Sequence, residues 1–440
     1  MHSGVYAERI GLRNQSSSEN TGMQLKTILN QVERNKSFVY QDARWGRSES
    51  GSTTIEVPIV SRANGRPICA GCQPPGPGYD RLPERRFEFV PLWNMAVIFL
   101  YSMRRVNCPH CGVTVEQVPW GDGKEPLTRS YRWFLAGWAK RLSWQATATA
   151  FGASWEQVFR AVKHAVMWGV VHRPLTRIKT IGVDEIQWRR GHKYLTLVYQ
   201  IDAGMKRLLW VAQDRTAASL RGFFDILGRR KSSRIKFTTS DMWQPYLDVL
   251  RQHATKAVLI LDRFHVMAKF NKAVDEVRAA EARRLKQDDG DETLKPSRWC
   301  LLKRPENLTD RQAVKLSELL RTNLQTVRAD LMREDFQRFW EYKSATWAKK
   351  FLDEWCARAM RSRIEPMKRL AKTLRRHSEL LLNWFAASGT ISSGIVEGFN
   401  NKAKLTMRKA YGFRTPDAIE IALFHNLGDL PEPNFTHKFY

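Results

Sequence analysis

The chain has 440 residues, of which 43% are hydrophobic, so it is long enough to form about two to four domains with their own cores. Its 72 lysine and arginine residues outnumber its 44 aspartate and glutamate residues, which gives a net charge of +28. This charge is larger than solubility requires and predicts a polyanionic partner. No apolar run approaches the roughly 18 residues of a membrane span, so we expect no membrane partner.

The N-terminal 22 residues are rich in serine and asparagine and have no apolar periodicity. They contain neither an apolar signal core nor a transit-peptide pattern, which indicates a cytoplasmic protein. We predict that residues 1–22 form a disordered leader. A short helix is predicted to begin at Met23, and the segment TTIEVPIV is predicted to be a strand.

The segment 23–125 contains two Cys-x-x-Cys pairs, formed by Cys69 with Cys72 and by Cys108 with Cys111. Two such pairs supply four thiolates, which is the ligand set of a closed tetrahedral zinc site. The strand-like segments between the pairs are expected to form a sheet beneath them. We therefore predict a zinc-binding N-terminal domain with one structural Zn²⁺ on these four cysteines. The alternatives are reduced cysteines in turns or a redox pair.

Residues 126–175 contain the pattern of two helices, a tight turn and a further helix. Ser154 and Gln157 have the spacing of a capping box, which would begin the last helix. On that helix Val158, Val162 and Ala165 are predicted to face inward. The predicted outer face consists of Gln157, Arg160 and His164. This arrangement predicts a helix-turn-helix domain whose outer face contacts bases in the DNA major groove, and the alternative is an ordinary three-helix bundle.

Residues 176–440 begin with three strand patterns in succession, followed by helices that alternate with two more strands. This order predicts a mixed sheet with helices on its faces. After Asp262 the pattern is helical to about Ala386, which indicates a large helical insertion at about 266–388. The predicted fold class is an α/β core with this insertion, preceded by the zinc-binding module and the helix-turn-helix.

Two strand patterns of this core carry acidic residues. Asp184 and Glu185 are neighbours in TIGVDEIQW, so their side chains point to opposite faces and only one can face a given site. Asp241 ends the pattern RIKFTTSD, at the carboxyl end where α/β sheets build their sites. Its carboxylate is expected either to cap the following helix or to bind a metal.

The third acidic residue lies on a late helix that begins near Ile395. Glu397 shares one face of this helix with Asn401, Lys404 and Arg408. The opposite face is predicted to consist of Phe399, Ala403, Thr406 and Ala410. An acid beside cations suits a divalent metal next to nucleic-acid phosphates, and the alternative is a solvated face with i, i+4 charge support.

Taken together, the three acids favour a metal site more strongly than each does alone. Two-metal phosphoryl transfer requires carboxylates from separate elements around ions about 3.5–4 Å apart. Four segments resemble the ISL-three family of bacterial insertion-sequence transposases: GVDEIQWRRGHKYLTLVYQID, SDMWQPY, LDRFHVMAKFNKAVDEVR and VEGFNNKAKLTMRKAYGFR. With the cysteine pairs and the helix-turn-helix, the resemblance covers nearly everything from Met23 to the C-terminus.

The resemblance implies an RNase H-like core with an Asp, Asp, Glu triad that binds two Mg²⁺ or Mn²⁺ ions. Carried over onto this chain, the triad is Asp184, Asp241 and Glu397. It also implies that the DRFH segment, Asp262 to His265, helps to position DNA near the cut; for His265 the alternative is a core histidine at the start of a helix.

The activity implied by the resemblance is cleavage and transfer of DNA strands at the ends of an insertion sequence. Lys404 and Arg408 would then hold DNA phosphates, and the partners would be the element ends, the target DNA and further copies of this chain. The alternatives are a structure-selective nuclease on the same core and an inactive sequence-specific DNA-binding regulator.

Overall fold

The computed structural model describes residues 24–288, 294, 297–303, 305–320, 324–387, 394–409 and 413–434. The predicted leader over residues 1–22 lies outside them. The chain divides into two compact units, Met1–Ala161 with Pro433–Tyr440, and Val162–Glu432. Over the described ranges, every helix is too short or too polar to span a bilayer.

The first unit is built on a six-stranded sheet. Its first elements are α1 (Leu25–Val32), β1 (Phe38–Tyr40), β2 (Arg44–Arg47), β3 (Thr53–Ser61), β4 (Gly78–Leu92), β5 (Met95–Cys108) and β6 (Gly112–Val115). β3 pairs in parallel with β5 and antiparallel with β1 and β2, and β5 pairs antiparallel with β4 and β6. The predicted strand TTIEVPIV and the sheet between the cysteine pairs are confirmed.

Aromatic side chains fill the core of this sheet. Phe87, Phe99, Tyr101 and Trp120 are each no more than 1% exposed. Trp120 makes edge-to-face contacts with the rings of Phe87 and Tyr101, and such pairs stabilise a core beyond the area they bury. This rigid base carries the tight turn between β5 and β6, on which the second cysteine pair lies.

Three helices follow the sheet: α2 (Arg129–Ala139), α3 (Trp144–Phe151) and α4 (Trp155–His172). α3 ends at Gly152, whose φ of +66° is a left-handed conformation that glycine adopts without strain. The Ser154 amide donates to Gln157 Oε1 at 2.7 Å, and the Gln157 amide donates to Ser154 Oγ at 3.1 Å. The predicted capping box is therefore confirmed, and it begins α4 one residue later.

α4 has the predicted apolar face, since Val158, Val162 and Ala165 are buried. On the other side of the helix Arg160 is exposed, while Gln157 and His164 are half-buried. The division between the two units falls within this helix, between Ala161 and Val162.

The second unit is built on a five-stranded mixed sheet with the strand order β11-β10-β7-β8-β9. Its elements in chain order are β7 (Thr180–Arg189), β8 (Lys193–Asp202), β9 (Met205–Gln213), α5 (Ala217–Leu227), α6 (Arg229–Ser232), β10 (Phe237–Ser240), α7 (Gln244–His253) and β11 (Val258–Leu261). β7, β8 and β9 are antiparallel, whereas β7, β10 and β11 are parallel. The predicted mixed sheet with intervening helices is confirmed.

Helices make up the regular structure of the remaining described residues, apart from two 3₁₀ turns at Pro305–Asn307 and Arg338–Glu341. They are α8 (Arg263–Asp288), α9 (Arg298–Leu302), α10 (Asp310–Leu320), α11 (Gln325–Gln337), α12 (Ala345–Arg361), α13 (Glu365–Arg376), α14 (Ser378–Ala386), α15 (Gly394–Lys409) and α16 (Pro416–Leu427). Phe270 of α8 packs on Phe336 of α11 and Trp355 of α12, with ring centroids 4.5 and 5.2 Å apart. The predicted helical character after Asp262 is confirmed.

Candidate functional site

Three aspartates lie side by side at the carboxyl ends of the parallel strands. The register of β7 with β10 pairs Gly182 with Thr239, so Asp184 and Asp241 occupy corresponding positions two residues further on. The register of β10 with β11 places Asp262 beside Asp241 in the same way. All three residues are buried. The sheet edge where α/β proteins build their sites therefore carries three clustered carboxyl groups, those of Asp184, Asp241 and Asp262, which are called the acidic cluster.

Hydrogen bonds fix the carboxylate of Asp184 on both oxygens. Asn400 Nδ2 donates to Oδ2 at 2.5 Å, and the Glu185 amide donates to Oδ1 at 2.8 Å. Asn400 is held in turn, because its Oδ1 accepts the Tyr199 hydroxyl at 3.0 Å. His265 Nε2 lies 3.3 Å from both carboxylate oxygens. Asp184 is thus oriented by a strand, by α15 and by the start of α8.

Close packing of α15 on β7 makes this arrangement possible. A Cβ at Gly182 would overlap Cγ2 of Val396, so the strand must carry glycine for the helix to approach this closely. Phe399 of α15 stacks on Tyr199 of β8 with ring centroids 4.8 Å apart. Through these two contacts the first half of α15, which carries Glu397 and Asn400, packs against the sheet.

Arg215 connects Asp241 with the acid that follows Asp184 in the chain. Its Nη2 donates to Asp241 Oδ2 at 2.6 Å, and its Nε lies 3.2 Å from Glu185 Oε1. The guanidinium also lies over the ring of Trp243, 4.7 Å from the centroid. Asp241 Oδ1 accepts the Trp243 amide at 3.0 Å, just before α7. One oxygen of Asp241 therefore contacts the amide of the residue before α7, and the other binds Arg215.

Two acids of this edge, Glu185 and Asp262, have raised pKa values. Burial raises the pKa of Glu185 to about 7, and the charges of Asp241 and Asp184 contribute. Burial likewise raises the pKa of Asp262 to about 6, with contributions from Asp184 and Glu397. Glu397 thus lies close enough to interact with the aspartates. Mutual repulsion of this kind is typical of carboxylates that hold a cation.

The imidazole of His265 provides positive charge beside the acids. Burial opposes its protonation, but the hydrogen bond to Asp184 and the charges of Asp184, Asp262 and Asp241 raise its pKa to about 9. The side chain is half-buried, at the first turn of α8. His265 therefore contacts the acidic cluster instead of packing in the hydrophobic core.

The exposed side of α15 agrees with the helix phase predicted from the sequence. Asn401, Lys404 and Arg408 are exposed, and Glu397 is half-buried at the border of that side. Phe399 and Ala403 are buried on the opposite side, as predicted. The predicted contribution of Ala410 lies outside the described residues.

A second cluster lies in the first unit, where the four predicted cysteines meet. The sulfur atoms of Cys69, Cys72, Cys108 and Cys111 all lie within 4.8 Å of one another. Four thiolates around Zn²⁺ at about 2.3 Å would be roughly 3.8 Å apart, so these positions fit a tetrahedral site. In the part of the chain that the structure describes, this is the one such compact group of metal-ligating side chains, and the acids of the second unit are more widely spaced.

Hydrogen bonds favour the thiolate form of Cys69. The Thr114 hydroxyl, 3.3 Å from its sulfur, and the backbone amides of Cys72 and Gly71 lower its pKa to about 6. A Cβ at Gly71 would lie 3.0 Å from the Cys111 sulfur, so the turn leaves little room for a side chain. Amides directed at a sulfur on a tight turn are the surroundings that a metal-bound thiolate requires.

Asn400 and Arg215 were not identified from the sequence, and Asp262 was identified only as part of the DRFH segment. Asn400 carried a detectable signal, because it is an amide among Val396, Phe399 and Ala403 on the buried face of an amphipathic helix. Arg215 carried none of comparable strength. Arg215 follows β9 in an ordinary polar loop, and an aspartate before α8 reads as a helix cap, which its 2.8 Å contact with the Phe264 amide supports.

Comparison with known proteins identifies the class of protein to which these features belong. A family model described as a transposase of the DDE, ISL3 type matches residues 181–423, which include all the acids of the cluster. The transposase for insertion sequence element IS1001 of Bordetella parapertussis is 30% identical over 333 residues, 75% of this chain and 81% of that protein. The transposase for IS1557 of Mycobacterium tuberculosis (strain CDC 1551 / Oshkosh) is 30% identical over 437 residues, 93% of this chain and 95% of that protein.

These matches define a DNA-processing enzyme of the transposase class. The chain belongs to the ISL-three family of insertion-sequence transposases.

Proposed function

We propose that this transposase binds the ends of a bacterial insertion sequence and catalyses metal-dependent DNA strand cleavage and strand transfer on an RNase H-like core. The observation that carries the proposal is the placement of Asp184 and Asp241 at corresponding positions of neighbouring parallel strands, with Glu397 beside them on a packed helix. These are three carboxylates from three elements around one sheet edge, as two-metal phosphoryl transfer requires.

The cluster fits divalent cations such as Mg²⁺ or Mn²⁺. Its three carboxyl groups are buried, and burial together with the charges of neighbouring acids raises the pKa values of Asp262 and of the adjacent Glu185, so a cation would relieve the repulsion between these acids. Asp184, Asp241 and Glu397 would hold two such ions. When bound, the ions would stabilise the attacking and leaving oxygens of an in-line displacement at phosphorus.

The chain's own residues would keep these ligands in place. Asn400 directs one oxygen of Asp184, and Arg215 together with the Trp243 amide fixes Asp241. His265 would contribute positive charge near DNA phosphate. In cleavage, water forms a new bond to phosphorus as the bond to the strand's 3′ oxygen breaks. In transfer, that 3′ hydroxyl attacks a target phosphodiester, and the displaced target oxygen leaves with a proton from solvent.

The first unit supports a role in binding the element ends. We propose that Cys69, Cys72, Cys108 and Cys111 hold one structural Zn²⁺ in a zinc-binding domain over 23–125. The helices α2, α3 and α4 would form a helix-turn-helix domain over 126–175. Bases would be contacted by Gln157, Arg160 and His164.

The contacts of α4 indicate which of Arg160 and Gln157 is more available to contact bases. Arg160 is exposed and only loosely paired, at 3.7 Å from Glu125 and 3.8 Å from Glu156, so it can exchange these partners for DNA. Gln157 Oε1 is already bound to the Ser154 amide. Arg160 is therefore the strongest candidate for base recognition.

Further contacts follow from the exposed side of α15. Lys404 and Arg408 would hold DNA phosphates next to the acidic cluster. The catalytic domain would span 176–440, with its helical insertion at about 266–388. We also propose that copies of this chain associate on DNA, because two element ends must be joined to one target.

The experiment is an assay of purified protein with a labelled duplex that carries the element end, with and without Mg²⁺. Binding, cutting and joining are scored separately. Asp184→Asn is expected to abolish cutting and joining while end binding persists, and Asp225→Asn, an exposed acid on α5, serves as the control. Cutting without joining would favour a structure-selective nuclease. Binding without either reaction in the unmodified protein would favour a DNA-binding regulator.

A further inference from the structure

Two neighbouring helices of the second unit, α8 and α13, carry matching rows of cations. α13 packs against α8, and Arg369 on α13 pairs with Glu276 on α8 at 2.5 Å. On α8, Lys269, Lys272 and Glu276 have the spacing i, i+3, i+7, so they lie on one face of the helix. On α13, Arg369, Lys372 and Arg376 have the same spacing and also share a face. These four cations, called the basic strip, are Lys269, Lys272, Lys372 and Arg376.

The two rows run antiparallel, so the end of α13 lies near the start of α8. His377 directly follows α13, and its pKa is lowered by burial and by the charges of Arg376, Lys269 and Arg251. Lys269 therefore lies near the end of α13, just as Glu276 lies near its start. Arg251, at the end of α7, adds a cation from a third helix.

The basic strip is available for a partner. All four of its side chains belong to exposed residues. Over the described ranges, none of the four forms an ion pair, whereas neighbouring cations such as Lys368 and Arg369 do. Four exposed cations on two packed helices produce a positive potential that a polyanion would neutralise.

The basic strip begins beside the acidic cluster. α8 follows directly on Asp262, and His265 contacts Asp184. At a rise of 1.5 Å per residue, Lys269 lies about 6 Å and Lys272 about 10 Å further along the helix axis than His265. A strand whose phosphate lies at the acidic cluster could therefore continue along the strip.

We propose that the basic strip binds the phosphate backbone of target DNA during strand transfer, an inference that rests on the proposed function. Contacts to phosphate position a duplex but carry no sequence information, and an end must be recognised by its bases. The strip consists of flexible cations on helix sides, so it suits DNA that is accepted whatever its sequence. Target DNA can be held by such contacts alone, whereas the element end must also be recognised by its bases.

The test uses full-length protein with all four strip residues changed to alanine, alongside each single variant. The probes are an uncut labelled element end, a pre-cut labelled element end and a plasmid that lacks element ends. We expect strand transfer into the plasmid to fall far more than cleavage of an uncut end, and to recover partly at higher plasmid concentration. The slope of log K against log salt for plasmid binding should shrink by about 0.9 per lost contact.

The matched control is Arg230→Ala with Lys231→Ala on α6. These exposed residues lie at the amino end of β10, whereas Asp241 lies at its carboxyl end. Strand transfer and the salt slope should stay at the parental values in this control. Lys372→Arg, which keeps the charge, should retain most of the transfer activity.

Two results would overturn the inference. In the first, the variant with all four strip residues changed to alanine keeps the parental salt slope for binding to plasmid DNA. In the second, this variant loses cleavage of the element end as severely as strand transfer, which would assign the strip to element DNA. Failure of the proposed function would look different, because the unmodified protein would then neither cut nor join. Plasmid binding is measured without catalysis, so it separates the two cases.

Discussion

Asn400 uses both of its polar groups inside the acidic cluster, where it donates to Asp184 and accepts from Tyr199. Asn400→Leu removes both hydrogen bonds at similar side-chain volume. Leaving buried polar partners unsatisfied costs about 1–3 kcal/mol, and misorientation of Asp184 should lower the cleavage rate by at least about tenfold. Single-turnover cleavage at saturating DNA measures the effect.

Asn401 provides the control for this change, because it is the neighbouring asparagine on the exposed side of α15. Asn401→Leu should cleave at close to the parental rate. Urea denaturation of both variants separates stability from positioning. The positioning role is wrong if cleavage by Asn400→Leu falls only in proportion to the folded fraction.

Gly182 and Gly398 allow a second test at single residues. A methyl group at Gly182 would overlap Val396, whereas one at Gly398 on α15 would meet nothing within 4 Å. Gly182→Ala should therefore lower the free energy of unfolding by about 1–3 kcal/mol and separate α15 from β7. Gly398→Ala should raise it by up to about 1 kcal/mol, because alanine favours a helix. Chemical denaturation compares the two, and equal effects would contradict the packing argument.

At the scale of elements, the capping box at the start of α4 has both a structural and a recognition consequence. Ser154→Ala removes one of its two hydrogen bonds and should cost about 1 kcal/mol of stability. Arg160→Ala leaves the cap intact, so it should leave stability within about 0.5 kcal/mol and lower discrimination between element ends and random DNA by about 1–3 kcal/mol. Thermal unfolding and competitive DNA binding provide the two readouts. An unchanged ratio of specific to nonspecific affinity would favour an ordinary three-helix bundle.

Sequence patterns predicted the elements well because their causes are local. Short runs of apolar residues predicted β7 to β9, and the spacing of Ser154 and Gln157 predicted the start of α4. The contacts between elements depend on register and helix phase, which composition does not determine. Asn400 lies one residue before the asparagine selected by the sequence pattern, and a shift of one position moves a side chain from the exposed to the buried side of α15.

The partner of Asp241 illustrates the same limit. Its placement at the end of a strand was foreseeable, and so was its contact with a helix start. Arg215 is separated from it by 26 residues and reaches it only because β9 and β10 belong to one sheet. Ion pairs of this kind follow from the complete topology.

At the scale of the whole molecule, the four-cysteine cluster should control the stability of the first unit. The cluster joins the segment before β4 to the turn between β5 and β6, and metal-binding free energy at such a site is also folding free energy. Metal analysis should find about one zinc per chain, and removal of zinc by a strong chelator should lower the temperature of unfolding. Cys72→Ser should reduce the zinc content, whereas Cys300→Ser, at a buried thiol outside the cluster, should not. A folded protein without zinc that still binds DNA would contradict this prediction.

The hydrogen bond between Asp184 and Asn400 joins residues that are 216 positions apart in the chain. At a synthesis rate of about 5–20 residues per second, a ribosome needs roughly 10–40 s to travel from one to the other. For that time a growing chain has the aspartate of β7 but neither the amide that orients it nor Glu397. On the proposed mechanism the protein therefore acquires its ability to break DNA only after Glu397 and Asn400 have been added to the chain, which delays any cutting by nascent chains.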